Sequence, residues 1–122
     1  MNFYKCGECL SIVMELVEGE QAEAKTFQEL HANATDASGE KHVPVVTQDG
    51  DKITVKVGDI EHPMLEEHYI MWIFLETEHG GHLKKLSPGE KPEAEFILNS
   101  GDQAVAAYEY CNLHGLWVKK LK

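Results

Sequence analysis

Residues 69–75 read YIMWIFL, an uninterrupted apolar run in the middle of the chain. Such a run predicts a strand that is buried on both faces. Just before it, residues 52–57 read KITVKV, in which polar and apolar side chains alternate. A period of two predicts a strand with one face in water and the other against a core. These two stretches therefore predict a layered β structure.

Further short strands are predicted around turn signals. Gly80 and Gly81 mark a turn after the buried strand, and residues 87–92 read SPGEKP, which predicts a loop. Strands are predicted at residues 82–86, 94–98, 104–110 and 116–121. Short strands at a spacing of roughly ten residues, with turns between them, predict an all-β domain built as a β-sandwich.

Residues 1–35 lack this pattern. Residues 27–31, FQELH, predict a single helical turn, and residues 33–36, NATD, predict a connector. The chain contains no internal repeat and no low-complexity segment. We therefore predict a short N-terminal appendage, residues 1–35, followed by a β-sandwich domain, residues 36–122.

Length and charge limit the functions that this chain can have. At 122 residues it is long enough for one domain with a genuine core, and its 43% hydrophobic and 26% charged residues are typical of a soluble globular protein. The formal net charge of −10 argues against nucleic acid and against anionic membrane surfaces as partners. It is compatible with small molecules or a complementary protein surface.

The N-terminus, MNFYKCGEC, lacks the cationic start, apolar run and cleavage site of a signal peptide. No apolar stretch is long enough to span a membrane. These features predict a cytoplasmic protein. In the cytoplasm, cysteines bind metal or do chemistry more often than they form structural disulfides, and an odd number of three cysteines fits that view.

Three blocks of sequence carry side chains that suit a transition metal. They read EKHVPVV at residues 40–46, HPMLEEHYIMWI at residues 62–73 and CNLHGLW at residues 111–117. The candidate ligands in these blocks are His42, His62, His68, Cys111 and His114. Imidazole and thiolate bind iron, copper, nickel and zinc rather than calcium or magnesium. Pro63 and Gly115 each follow a candidate histidine and indicate irregular backbone, so we expect loops at one end of the sandwich to collect the ligands.

Taken together and in this order, the three blocks resemble the superoxide reductases, the iron proteins also called neelaredoxins and desulfoferrodoxins. The resemblance extends from about residue 36 to the C-terminus. It implies an immunoglobulin-like, seven-stranded β-sandwich and the one-electron reduction of superoxide to hydrogen peroxide at a single iron. It further implies that four imidazoles bind the iron in a plane, those of His42, His62, His68 and His114, and that the Cys111 thiolate binds from one axial side. One position would then be open to superoxide.

The resemblance also assigns roles to two charged residues. Lys41 resembles the family lysine that attracts the anion and orders a proton-donating water, and Glu40 resembles the family glutamate that caps the oxidised iron. From the residues alone, both could equally be loop charges in solvent. The family implies a rubredoxin-like electron donor and a homo-oligomer, either a dimer or a tetramer. Three other histidines match no family ligand and are predicted to be solvated: His31, His79 and His82.

The N-terminal segment departs from the family. Many relatives carry a four-cysteine iron centre there, built from a Cys-x-x-Cys and a later adjacent Cys-Cys pair. Cys6 and Cys9 match the first half, but residues 22–23, where the pair would lie, are Ala and Glu. A mononuclear thiolate site needs four ligands, so residues 1–35 are predicted to be a vestigial, desulforedoxin-like segment that binds no metal.

Other interpretations remain open at this stage. Cys6 and Cys9 of two chains could share a metal across a dimer, whereas a thioredoxin-like role is disfavoured because no βαβ pattern surrounds them. A blue-copper electron carrier is also a β-sandwich whose late loop supplies Cys and His. In this chain no Met follows His114, and two histidines would be unexplained. A structural zinc site is four-coordinate and closed, so a fifth ligand and the adjacent Lys41 argue against it.

Overall fold

The computed structural model describes residues 1–19 and 27–122. The chain forms two compact units, Met1–His31 and Ala32–Lys122. The interpretation of the N-terminal segment as a vestigial metal-binding domain stays a prediction. Residues 22–23, where the family pattern would place a second cysteine pair, lie outside the described residues.

The described part of the first unit is a three-stranded antiparallel sheet. Its strands are β1 (Asn2–Cys6), β2 (Ile12–Glu15) and β3 (Phe27–Glu29), in the order β2-β1-β3. The helical turn predicted at residues 27–31 is wrong, because Phe27 pairs with Cys6 and Glu29 pairs with Tyr4. A weak local preference for helix is overridden when a partner strand is available.

Cys6 and Cys9 are joined by a disulfide at the end of β1. The expectation that cysteines of this chain bind metal or do chemistry rather than form structural disulfides stays a prediction, whereas this bond itself was not predicted. The physical reason for the bond is a tight turn, in which the N–H of Leu10 donates to the carbonyl of Cys6 and the N–H of Cys6 donates to the carbonyl of Ser11. The turn brings the two Cα atoms to 5.5 Å, a separation that a disulfide can bridge.

The second unit, all of which is described, is a β-sandwich that follows one short helix. The helix is α1 (Gly39–His42), and the strands are β4 (Pro44–Asp49), β5 (Lys52–Val57), β6 (Ile70–Thr77), β7 (Gly81–Lys85), β8 (Glu93–Ile97), β9 (Ala104–Cys111) and β10 (Gly115–Lys120). One antiparallel sheet has the order β10-β9-β6-β7 and the other has the order β4-β5-β8. This arrangement confirms the predicted all-β, immunoglobulin-like sandwich of seven strands.

The two sheets share one apolar core. Strand β5 alternates as its sequence predicts, because Ile53 and Val55 are buried while Lys52 and Lys56 are exposed. The cluster around β5 draws on three other strands: Ile70, Ile73 and Leu75 of β6, Ala94 and Phe96 of β8, and Ala107 and Cys111 of β9. Because one candidate ligand, Cys111, belongs to this cluster, the position of the candidate site is fixed by the core.

Across residues 1–19 and 27–122, the structure contains no helix with the length and apolar character that crossing a membrane requires.

One carboxyl group lies inside the sandwich. Glu109 of β9 points to the same side of the sheet as Ala107 and Cys111, because side chains alternate along a strand, and it is fully buried. Neither of its carboxyl oxygens has a hydrogen-bond partner among the described residues. Burial raises the pKa of Glu109 well above its usual range, which favours the neutral acid.

We predict that Glu109→Met stabilises the protein. An apolar side chain of similar length removes the cost of a buried polar group without a partner, which is about 1–3 kcal/mol. Thermal and denaturant unfolding of the variant should therefore show a higher midpoint. Glu95→Met is the matched control, because Glu95 is exposed on β8 and should change stability by no more than about 0.5 kcal/mol. A lower midpoint for Glu109→Met than for wild type would mean that the carboxyl contributes to stability.

Candidate metal centre

The five candidate ligands lie where strands of both sheets begin or end. His42 is the last residue of α1, separated from β4 by Val43, and Cys111 is the last residue of β9. His62 and His68 lie between β5 and β6, and His114 lies in the turn between β9 and β10. The pairing of Pro44 with Val57 and of Ile70 with Cys111 places these strand ends side by side within each sheet.

The four imidazole rings surround one central space. Neighbouring ring centroids are 4.6 Å apart for His42 and His62, 4.6 Å for His62 and His68, 5.1 Å for His68 and His114, and 4.9 Å for His114 and His42. The centroids of His42 and His68, which lie across this circuit, are 6.4 Å apart. Each ring is steeply inclined to its neighbours, at 75° to 85°. The rings therefore form a closed circuit with their edges directed inward.

Backbone carbonyls set the orientation of two of these rings. The Nδ1 of His42 lies 2.7 Å from the carbonyl oxygen of Ser38, and the Nδ1 of His62 lies 2.7 Å from that of Pro63. A carbonyl only accepts, so both Nδ1 atoms carry the proton and both Nε2 atoms carry a lone pair. This is the arrangement in which proteins present histidine to a metal.

The lone pairs face one another across a short gap. The Nε2 atoms of His42 and His62 are 3.1 Å apart, and the Nδ1 of His114 is 3.1 Å from the Nε2 of His42. The Nε2 of His68 is buried and has no hydrogen-bond partner among the described residues. Inward lone pairs and an unpartnered buried nitrogen are costly unless a cation lies between them. The residues present therefore fit a transition metal.

Cys111 adds a sulfur to the same space. Its Sγ lies 3.6 Å from the Nε2 of His62 and 3.9 Å from the Nδ1 of His114. Donor atoms of His42, His62, His68 and Cys111 all lie within 4.8 Å of one another. His114 is outside that tightest group of four but is joined to it by the two short distances of its Nδ1. The donor set of imidazoles and one thiol suits iron, copper or zinc.

Burial keeps these histidines in the neutral form that can bind a metal. It lowers the pKa of His62 to about 4 and also lowers the pKa values of His42 and His68, for which the nearby charge of Lys41 is a smaller cause in the same direction. Burial raises the pKa of the Cys111 thiol, although backbone N–H groups of His114 and Leu113 act in the opposite direction. A metal bound here would displace the thiol proton and offset the cost of burying the thiolate.

Asn112 and Trp117 support the site, although the sequence analysis did not single them out. The side chain of Asn112 accepts from the N–H of Tyr69 at 3.0 Å and donates to the carbonyl of Glu67 at 3.1 Å, so it clamps both sides of His68. The ring of Trp117 stacks on His42 at a centroid distance of 4.8 Å, and its Nε1 donates to the carbonyl of His114 at 3.1 Å. The position of Asn112 between a candidate Cys and a candidate His could have indicated its role, because an amide side chain can form hydrogen bonds with two backbone groups at once.

Lys41 and Glu40 lie on α1 with exposed side chains, rather than in the loop that the sequence suggested. His31 and His79 are exposed, as predicted, whereas His82 is half-buried with its ring 5.7 Å from that of Phe96. None of these three histidines joins the cluster of candidate ligands.

Gly58 fixes the position of α1. A side-chain carbon at this residue would come within 2.6 Å of the carbonyl oxygen of Glu40 and 2.7 Å of the carbonyl carbon of Lys41. Two residues later, the N–H of Ile60 donates to the same Glu40 oxygen at 3.0 Å. The turn after β5 therefore packs directly on the backbone that carries Lys41 and His42.

We predict that Gly58→Ala displaces α1 and weakens metal binding. The added carbon meets backbone atoms, which cannot rotate away, so we expect a loss of about 1–3 kcal/mol in stability and a lower metal content per chain. Metal analysis after gel filtration and thermal unfolding measure the two effects. Gly80→Ala is the control, because a side-chain carbon there meets nothing within 4 Å. Equal metal content in the two variants would mean that α1 tolerates the contact.

One family profile and several known proteins are similar to this chain. The desulfoferrodoxin profile matches residues 34–120. A desulfoferrodoxin of Syntrophotalea carbinolica is 46% identical over 121 residues, which cover 96% of this chain and 94% of the relative. The crystal structure of the superoxide reductase from Treponema pallidum matches with a TM-score of 0.79 at 38% identity, over 97% of this chain and 98% of that chain. A one-iron superoxide reductase from Giardia intestinalis matches with a TM-score of 0.59 at 31% identity, over 68% of this chain and 98% of that chain.

Proposed function

Because this chain belongs to the desulfoferrodoxin family, we propose that it is a superoxide reductase. It takes superoxide as substrate and releases hydrogen peroxide. One iron per chain would be held by all five candidate ligands, namely His42, His62, His68, His114 and Cys111. The observation that carries the proposal is the closed circuit of imidazoles, whose inward nitrogens meet the Cys111 sulfur.

Iron, when bound, would supply the single electron that superoxide needs to become hydrogen peroxide, and two protons from water would complete the product. The chain itself holds the donors in place before the metal arrives. Ser38 and Pro63 fix the protons of His42 and His62 on the outer nitrogens, and Asn112 fixes the backbone on both sides of His68. Preorganised donors lose little entropy on binding.

The number of donors favours iron over the alternatives. A structural zinc site closes with four donors, whereas this cluster offers five. A blue-copper site uses two histidines, one cysteine and a weak axial ligand, which leaves two of the four imidazoles without a role. A metal held by these five donors would have room for one exogenous ligand, as a reaction with a small anion requires.

Cys111→Ser tests the thiolate. We expect the oxidised wild-type protein to be blue from thiolate-to-iron charge transfer, with about one iron per chain. The variant should keep iron on the four imidazoles but lose the colour and most of the activity. Iron analysis and the visible spectrum measure this, and Cys9→Ser, in the other unit, should change neither. An unchanged spectrum in Cys111→Ser would remove Cys111 from the ligand set.

Lys41 is the residue we propose to attract superoxide. Its charge is close enough to lower the pKa values of His42 and His68, although burial is the larger cause for both. The chain as a whole carries a formal net charge of −10, which repels an anion. Charges farther than the Debye length of about 8 Å at physiological salt are largely screened, so the nearby positive charge should prevail.

The salt dependence of the rate tests this balance. The second-order rate with superoxide should fall as ionic strength rises, and Lys41→Ala should lower the rate by about tenfold and flatten the salt dependence. Lys119→Ala removes the same charge from the far end of β10 and should leave both unchanged. A wild-type rate that increases with salt would mean that the acidic surface dominates and that Lys41 does not steer the anion.

We also propose a role for Glu40 and a class of partners. The exposed carboxylate of Glu40 would serve as a ligand to oxidised iron only, so the reduced centre would be open to superoxide. The electron donor would be a small redox protein of the rubredoxin kind. The protein would act as a homo-oligomer, a dimer or a tetramer.

A further inference from the structure

The Cys6–Cys9 disulfide is asymmetric in its access to solvent. Cys6 ends β1 and is buried, with 6% of its surface exposed, whereas Cys9 lies in the exposed turn before β2. The backbone N–H of Cys9 donates to the Sγ of Cys6 at 3.1 Å. One sulfur is therefore accessible, and the other is held by a hydrogen-bond donor.

This disulfide is poorly suited to a structural role. It links residues only three apart in sequence, so it removes little freedom from the unfolded chain. The hairpin that contains it is held independently by the pairing of β1 with β2, from Asn2 with Glu15 to Lys5 with Ile12. Removing the bond should therefore leave the sheet folded.

The same asymmetry suits thiol–disulfide exchange. Attack of an external thiolate on a disulfide is controlled by the access to the attacked sulfur and by the stability of the thiolate that leaves. Attack at the exposed Cys9 would release Cys6 as the leaving thiolate, and the N–H of Cys9 is already placed to stabilise it.

We propose that Cys6 and Cys9 form a second redox site, at which the reduced pair consumes hydrogen peroxide and a dithiol regenerates it. This inference rests on the proposed function only for the source of the peroxide. The number of electrons selects the substrate, because a dithiol pair gives up two electrons and peroxide accepts two, whereas superoxide accepts one. Hydrogen peroxide is also uncharged, so the acidic Glu8 within the turn does not repel it.

In the oxidative half of the cycle, the Cys9 thiolate attacks one oxygen of hydrogen peroxide. A sulfur–oxygen bond forms, the oxygen–oxygen bond breaks, and the leaving hydroxide takes a proton to become water. The Cys6 thiolate then attacks the sulfur of the Cys9 sulfenic acid. A sulfur–sulfur bond forms, the sulfur–oxygen bond breaks, and the second oxygen leaves as hydroxide, which becomes water with the proton that the Cys6 thiol released when it formed the thiolate. Two electrons have passed from the sulfur pair to peroxide.

In the reductive half, one thiolate of the dithiol attacks Cys9 and Cys6 leaves as a thiolate. The second thiol of the donor resolves this mixed disulfide, which releases Cys9 and leaves the donor as a disulfide. Protons from the two donor thiols return to the cysteine pair, so the cycle is balanced.

The test uses the full-length, iron-loaded protein reduced with dithiothreitol and freed of excess reagent without oxygen. Added hydrogen peroxide should remove the Cys6 and Cys9 thiols and restore their disulfide, seen by mass spectrometry of the digested protein. Wild type should consume about one equivalent of peroxide more than the double variant Cys6→Ser with Cys9→Ser. The double variant keeps the same iron ligands, so this difference excludes peroxide that reacts at the iron.

The single variants separate the roles of the two sulfurs. Cys6→Ser should stop at the sulfenic acid of Cys9, which a dione reagent such as dimedone traps. Cys9→Ser keeps only the buried Cys6 of this pair, and its labelling at that residue should be at least about tenfold less. Circular dichroism of both variants should match wild type. A loss of reactivity could then not be attributed to a loss of folding.

Three results would overturn the proposal: no reduction by dithiothreitol in the folded protein, equal peroxide consumption by wild type and the double variant, or equal labelling of the two single variants. Because peroxide is added as a reagent, none of these results depends on superoxide. A protein that passes this test but makes no peroxide from superoxide would disprove the proposed function and leave the second redox site standing.

Discussion

The burial of lone pairs that face one another is the constraint on which this structure depends. His42 and His62 expose only 2% and 1% of their surface, and their Nε2 atoms are 3.1 Å apart with no proton on either. A protein interior cannot hold such a pair without cost, and protonation is opposed because burial lowers both pKa values. A bound cation relieves the repulsion and restores the partners that burial removed. Folding of this end of the sandwich and metal binding are therefore one coupled equilibrium.

The scaffold meets this constraint mainly with backbone contacts. Carbonyls of Ser38 and Pro63 orient two rings, Asn112 bonds the backbone around a third, and Gly58 lets two chain segments touch. Backbone groups held by paired strands have few alternative positions, so they define ligand geometry more sharply than flexible side chains would. The pairing of Ile70 with Cys111 carries this rigidity into the site, because it connects the core strand β6 to the thiol ligand candidate.

The sequence alone was sufficient to predict the sandwich because the burial pattern of its strands is visible in their own residues. The alternation of residues 52–57 and the apolar run at residues 69–75 each encode burial directly, and both lie in core strands. The helical turn at residues 27–31 was wrong because a three-residue strand gains its stability from a partner, here β1, which no local pattern reveals. Helix α1 was missed for a different reason, because four residues are too few to show helical periodicity.

In the candidate site, too, the features encoded in short stretches of sequence could be predicted, and those that depend on contacts between distant segments could not. Residue type and order pointed to the five donors, because imidazole and thiol side chains are rare enough to stand out in three short blocks. The roles of Asn112, Trp117 and Gly58 depend on which segments meet in space, so they could be found only from the structure.

The burial of the donors differs between the two sides of the cluster. Cys111, His42 and His62 are buried, and Cys111 belongs to the apolar core, so the sandwich closes that side against water. His68 and His114 are only half-buried, and the exposed Lys41 acts electrostatically on His68. The cluster therefore has a dry side that carries the sulfur and a wet side on which the ammonium group of Lys41 and the carboxylate of Glu67 act on His68 in opposite directions. Charge interactions are stronger where water is excluded, so the thiol lies where it would affect a bound metal most, while Lys41 lies on the side from which an anion would arrive under the proposed function.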